Sequence, residues 1–148
     1  MRYLLDTGIA ADYLNKRHGV FERVRAKRAK GNTVGIATPV LAELAFGIEK
    51  SSTRDPNMKL LRIAVPTLRL WPFDHDAAFE YGRLYAELQR IGRPMQVIDI
   101  MIAAIALTLG NCTVVSKDSD LSAVPDLTVE NWAESPPEGE CDDADSDF

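Results

Sequence analysis

The chain has few of the residues from which thiol or imidazole chemistry is built. Two cysteines and two histidines occur in 148 residues. Cys112 stands just before an apolar run and Cys141 in an acidic stretch, which excludes a disulfide scaffold and a zinc-binding spacing. His18 and His75 sit in polar, helix-edge surroundings and read as solvated or capping residues rather than general bases. No phosphate-cradling glycine loop and no serine elbow is present, so neither a P-loop nor a serine-hydrolase mechanism has its parts. The apolar run Val97–Leu109 is too short to span a bilayer. At the N-terminus Met1-Arg2-Tyr3-Leu4-Leu5 meets Asp6 after three apolar residues, which does not read as a secretory signal; the cytoplasm is the expected compartment.

What is present suits one soluble globular domain: 46% hydrophobic against 26% charged residues. The net charge of −5 is unevenly spread. Seven acids and no base lie from Glu134 onward, which leaves 15 acids against 17 bases in the body. Such a body is compatible with a polyanionic partner. The low-hydrophobicity segment from Pro136-Pro137 reads as a disordered tail.

Taken in order, Tyr3-Leu4-Leu5 reads as a buried strand, followed by a turn at Asp6-Thr7-Gly8 and a helix through Ile9, Tyr13 and Leu14. A basic helix is expected over 17–31. Thr33–Ala37 is a second strand, and Thr38-Pro39 predicts a helix with Thr38 as N-cap, running through Val40–Ile48 with Glu43 as its one charge. Met58–Val65 is helical and Leu68–Phe73 extended. Asp74 or Asp76 caps an amphipathic helix through Ala78, Tyr81, Leu84, Tyr85, Leu88 and Ile91, closed by Gly92. The all-apolar helix Val97–Leu109 follows, with Asp99 its one charge and Gly110-Asn111 its stop. Thr113-Val114-Val115 is a third strong strand, and Leu127-Thr128-Val129 is a last short run. Strands alternating with helices and no hairpin signal predict an α/β fold: a mainly parallel sheet with helices on both faces.

Four acids stand apart. Asp6 and Asp118 lie just past strand ends, where α/β folds place their sites; Glu43 and Asp99 interrupt apolar helices. Asp120 is a possible fifth, with capping of a short helix through Leu121 its plainer role. A buried carboxylate needs a partner, and several carboxylates in one place are stable mainly around a divalent cation. All-oxygen ligation suits Mg²⁺ or Mn²⁺, and the chemistry implied is metal-assisted phosphodiester hydrolysis. For any single acid a cap, an ion-pair partner or a surface residue is the favoured reading; four at such comparable places fit that reading less well.

The stretches Tyr3-Leu4-Leu5-Asp6-Thr7, Pro39-Val40-Leu41-Ala42-Glu43-Leu44 with Gly47, Asp99–Ala104, and Val114-Val115-Ser116-Lys117-Asp118 resemble, in order and spacing, the PIN-domain ribonucleases. The helix with Ala77-Ala78 and Tyr81-Gly82, and the ending from Val124-Pro125 to Trp132, narrow the likeness to VapC-type toxins of toxin–antitoxin pairs. The resemblance covers residues 1–132 as a nuclease domain and leaves 133–148 as an acidic tail outside the family pattern. It implies a three-layer α/β/α sandwich, a homodimer, and a Mg²⁺- or Mn²⁺-dependent endoribonuclease held inactive by a cognate antitoxin. By position, Asp6 and Asp99 correspond to metal ligands, and Glu43 and Asp118 to ligands or water-orienting groups; Thr7 and Ser116 would support them by hydrogen bonds. Gly8 stands where asparagine or serine is commoner. Arg23, Lys27, Arg28 and Lys30 of the basic helix would contact RNA phosphates beside the acids. Two other readings use the same residues: a non-toxin nuclease of this fold acting in RNA processing or on DNA, and an inactive PIN-like module that only binds RNA or protein.

Overall fold

A computed structural model describes residues 1–133; the expected acidic tail lies outside the described residues, apart from its first position. Five strands form one all-parallel sheet: β1 (Arg2–Leu5), β2 (Thr33–Ala37), β3 (Arg69–Trp71), β4 (Cys112–Val115) and β5 (Thr128–Glu130). Around it pack α1 (Thr7–Asn15), α2 (Val20–Ala29), α3 (Thr38–Glu49), α4 (Arg54–Ala64), α5 (His75–Arg90) and α6 (Val97–Leu109). The extended stretch at 68–73 therefore holds a strand of the sheet, and Thr113–Val115 belongs to the fourth strand rather than the third. The three-layer α/β/α sandwich is the architecture expected of the sequence, because strands covered on both faces read as continuous apolar runs. Leu4, Leu5, Ile36, Val114 and Val115 are essentially inaccessible.

The spatial order is β3-β2-β1-β4-β5. The chain winds outward from β1 through β2 to β3, then crosses back to β4 on the other side of β1. The winding direction reverses between β1 and β4, and the crevice outside the carboxyl ends of strands flanking such a reversal is where α/β folds bind ligands. Leu5 pairs with both Ile36 and Val115, so the residues following β1, β2 and β4 emerge side by side. Gly35 permits the close β2–β3 approach: a Cβ there would come within 2.0 Å of the Arg69 carbonyl oxygen.

Two helix starts differ from the sequence expectation. Ala37, the last residue of β2, occupies the N-cap of α3, and Thr38 is already inside the helix. The Thr38 hydroxyl instead accepts the Phe73 N–H at 3.1 Å, tying the end of β3 to that of β2. Asp118, not Asp120, caps the short 3₁₀ turn at Ser119–Ala123 by accepting the Asp120 N–H at 2.9 Å. Asp74 caps α5, accepting from the Ala77 N–H at 3.0 Å. At the far end of the sheet, Arg2 donates to the last carbonyls of α6, at 2.9 Å to Gly110 and 3.3 Å to Leu109, where a cation also complements the helix dipole.

Candidate active site

Each singled-out acid is carried to the carboxyl edge of the sheet by the element before or after it. Asp6 directly follows β1 and is the N-cap of α1: its Oδ1 accepts the Ile9 N–H at 2.8 Å. Ser116 directly follows β4, and its hydroxyl donates to Asp6 Oδ2 at 2.5 Å while accepting the Asp118 N–H at 2.9 Å. Glu43 is in the second turn of α3, just beyond β2. Asp99 is in the first turn of α6, which runs back along the sheet into β4, so its N-terminus lies at the same edge.

Charge repulsion from the other acids is felt at Asp99. Asp99 is pushed up to about 6 from its ordinary 3.8, first by burial and then by repulsion from Asp118, Asp6, Glu43 and Asp120 in that order. Asp6 is raised chiefly by burial; the Ser116 hydroxyl, the Ile9 N–H and the Lys117 charge pull the other way, and Asp118 adds repulsion. Asp6 is buried, Asp99 and Glu43 are half-buried, and Asp118 and Asp120 are exposed. The Thr7 hydroxyl, next to Asp6, is buried and finds no hydrogen-bond partner among the described residues.

The donor chemistry fits a hard divalent ion: carboxylates and a hydroxyl, no thiolate or imidazole, and repulsion that a cation would relieve. Among the described residues no three of these side chains close into a shell that could hold an ion by themselves. An open arrangement of carboxylates suits Mg²⁺, which sheds its water reluctantly and is usually held by one or two carboxylates with several waters retained.

The basic helix is placed differently. Thr33 opens β2 at the amino edge of the sheet, and α2 ends just before it, so Lys27, Arg28 and Lys30 lie near the edge opposite the acids, roughly the 13 Å length of a four-residue strand away. Lys27 sits over the Tyr3 ring at 5.0 Å and the Trp132 ring at 5.9 Å, covering the core where Trp132 is buried. Arg23 is exposed. The structure does not bring Lys27, Arg28 or Lys30 to the acids.

The family model of the PIN domain matches residues 3–127. The chain belongs to the PIN-domain family. The chain is 33% identical to Ribonuclease VapC2 of Rickettsia felis over 132 residues, 89% of this chain and 98% of that protein. The tRNA(fMet)-specific endonuclease VapC of Shigella flexneri is 31% identical across 90% of this chain and 99% of its own. A crystal structure of VapBC2 from Rickettsia felis bound to a DNA fragment from their promoter superposes with a TM-score of 0.82 at 33% identity, over 89% of this chain and 99% of that one. The PIN-domain likeness of the four motifs, and the narrower VapC likeness of the helix at Ala77–Gly82 and the ending at Val124–Trp132, agree with these relatives.

Sequence reasoning missed a second charged group beside this PIN-domain site. Lys117 Nζ lies 2.7 Å from Oδ2 of Asp12 on α1, and His18 Nδ1 lies 3.2 Å from the same oxygen. Asp12 carried the signal that drew attention to Asp99, a lone acid among apolar residues, for it stands three residues after the buried Ile9 and next to the buried Tyr13.

Ser116→Ala is expected to destabilise the chain by about 2 kcal/mol, the worth of a hydrogen bond to a buried carboxylate. It should also push the Asp6 carboxyl further up, since the hydroxyl is the largest influence now lowering it. Urea unfolding at neutral pH reads the first effect and carboxyl NMR titration the second; no change in either would show the Ser116–Asp6 bond to be idle.

Proposed function

We propose that this chain is the toxin of a toxin–antitoxin pair, an endoribonuclease that hydrolyses RNA phosphodiester bonds at carboxylates holding Mg²⁺ or Mn²⁺. The observation that carries this reading is Asp99: a carboxylate raised to about 6 by burial and by four neighbouring acids, at the switch point of the sheet. Asp6 and Asp99 would hold the ion, and Glu43 and Asp118 would hold it or orient the attacking water. A bound divalent ion supplies Lewis acidity, lowering the pKa of a water and neutralising phosphodiester charge. Ser116 fixes Asp6 in one orientation and sets the backbone of Asp118; the buried Thr7 hydroxyl is free to donate to a carboxylate or to substrate. Residues 1–132 form the catalytic unit.

The partners are a cognate antitoxin and a second copy of the chain. Phe46, Leu60 and Ile63 on α3 and α4, and Phe79 on α5, are large apolar side chains left exposed, which a partner on these helices would cover. Among the described residues no helix is long and apolar enough to cross a membrane.

The chain, purified free of any antitoxin, is expected to cut structured RNA in Mg²⁺ or Mn²⁺ and to stop with EDTA. tRNA(fMet), named for the Shigella flexneri relative, is the first substrate to try. RNA left intact in both metals, with DNA or no nucleic acid cut, would defeat the proposal.

A further inference from the structure

Lys117 stands between two residues of the acid cluster, Ser116 and Asp118, yet among the described residues its ion-pair partner is Asp12 on α1. Asp12 itself is unusual. Its side chain is 8% exposed, whereas that of Lys117 is 43% exposed, and its neighbours Ile9, Ala10, Tyr13 and Leu14 are all buried. A carboxylate in such surroundings persists only with a cation at hand. The Nζ–Oδ2 approach is 2.7 Å, close enough for the buried carboxylate to hold the ammonium on its own side. A lysine stem is flexible and its head a compact point charge; that charge is felt at Asp6, and Asp118 is the next residue in the chain. The ammonium is therefore the chain's own competitor for the place a divalent ion would take.

We propose that Asp12 is a positioning residue that holds the Lys117 ammonium outside the acid cluster, keeping Asp6, Asp99 and Asp118 open to a divalent ion. The inference rests on the metal-dependent reading given above. Lys117 already acts electrostatically on Asp6. His18 Nδ1, in the α1–α2 turn, lies 3.2 Å from the same Asp12 oxygen.

The test is Mn²⁺ binding to the full chain in the absence of RNA, read from the electron paramagnetic resonance of free Mn²⁺, with thermal melts to check folding. Asp12→Asn, nearly the same shape, is expected to weaken Mn²⁺ binding about tenfold, the low end of what one charge within a few ångströms does to a carboxylate. Asp12→Asn combined with Lys117→Met should bind as tightly as the parent, because the competitor is gone. Lys117→Met alone should bind at least as tightly as the parent, and it decides the matter if Asp12→Asn does not fold. Unchanged binding in Asp12→Asn, a double variant as weak as the single one, or weaker binding in Lys117→Met overturns the proposal. A parent that binds no Mn²⁺ overturns it together with the metal site. A parent that binds Mn²⁺ with the expected pattern but cuts no RNA overturns only the nuclease reading.

Discussion

Asp99→Asn is expected to lower RNA cleavage in Mg²⁺ by about 10³-fold, with the fold intact. Asparagine keeps the size of the side chain and one of its oxygens but removes the charge that a divalent ion and the transition state depend on, and deletion of one electrostatic group in such a site loses on the order of 10² to 10³ in rate. The same variant should be more stable than its parent when no metal is added. A rise from 3.8 to about 6 corresponds to about 3 kcal/mol for a fully desolvated group; Asp99 is only half-buried, so solvent screening reduces this to about 1 kcal/mol. The sign follows from linkage: the folded state holds the Asp99 proton more tightly than the unfolded chain does. Its favourable contribution is full below pH 3.8 and is lost as pH rises through about 6. Melts of metal-free protein across that window should show a loss in the parent that is smaller in Asp99→Asn. A variant that cuts RNA as fast as the parent removes Asp99 from the mechanism.

Mg²⁺ is expected to raise the melting temperature of the parent by about 5 to 10 °C at neutral pH. A ligand at about 100 times its Kd stabilises by about 2.7 kcal/mol, and a domain of this size gains roughly 2 to 4 °C per kcal/mol. The repulsion among Asp6, Glu43, Asp99, Asp118 and Asp120 is present before the ion arrives, so relieving it stabilises the folded state alone. The shift should shrink in Asp99→Asn. It should shrink also in the parent well below pH 6, where Asp99 is protonated and the ion must displace a proton. Differential scanning calorimetry with KCl at matched ionic strength as the control measures it. An equal shift in parent and Asp99→Asn would mean that Mg²⁺ binds elsewhere.

Much of this was legible in the chain because the relevant signals are local. Tyr3-Leu4-Leu5 and Val114-Val115 announce buried strands by continuous apolar character, and Val97–Leu109 announces a buried helix. A single charge inside such a run is conspicuous, which is how Glu43 and Asp99 could be singled out, and Asp6 and Asp118 stood out by lying just past strand ends. The cap assignments were harder. Thr38 has the chemistry of an N-cap, but its hydroxyl is claimed by the Phe73 N–H from the neighbouring strand. Asp118 and Asp120 both suit the cap of the turn after β4, and backbone direction chose Asp118. The basic residues of α2 looked like an RNA-contacting face. Their position was decided by the return of the helix to the amino edge of the sheet, away from the acids.

The amino-acid sequence by itself determined the elements, their order, the parallel α/β class and which carboxylates stand in places that demand a partner, because each depends on residues within a turn or a strand of one another. The tertiary structure decided which of them meet. Ser116 and Asp6 are 110 residues apart and bonded only because β4 pairs with β1, a choice of strand order that no local pattern encodes. The same pairing brings Lys117, which follows β4, against Asp12 of α1, which follows β1.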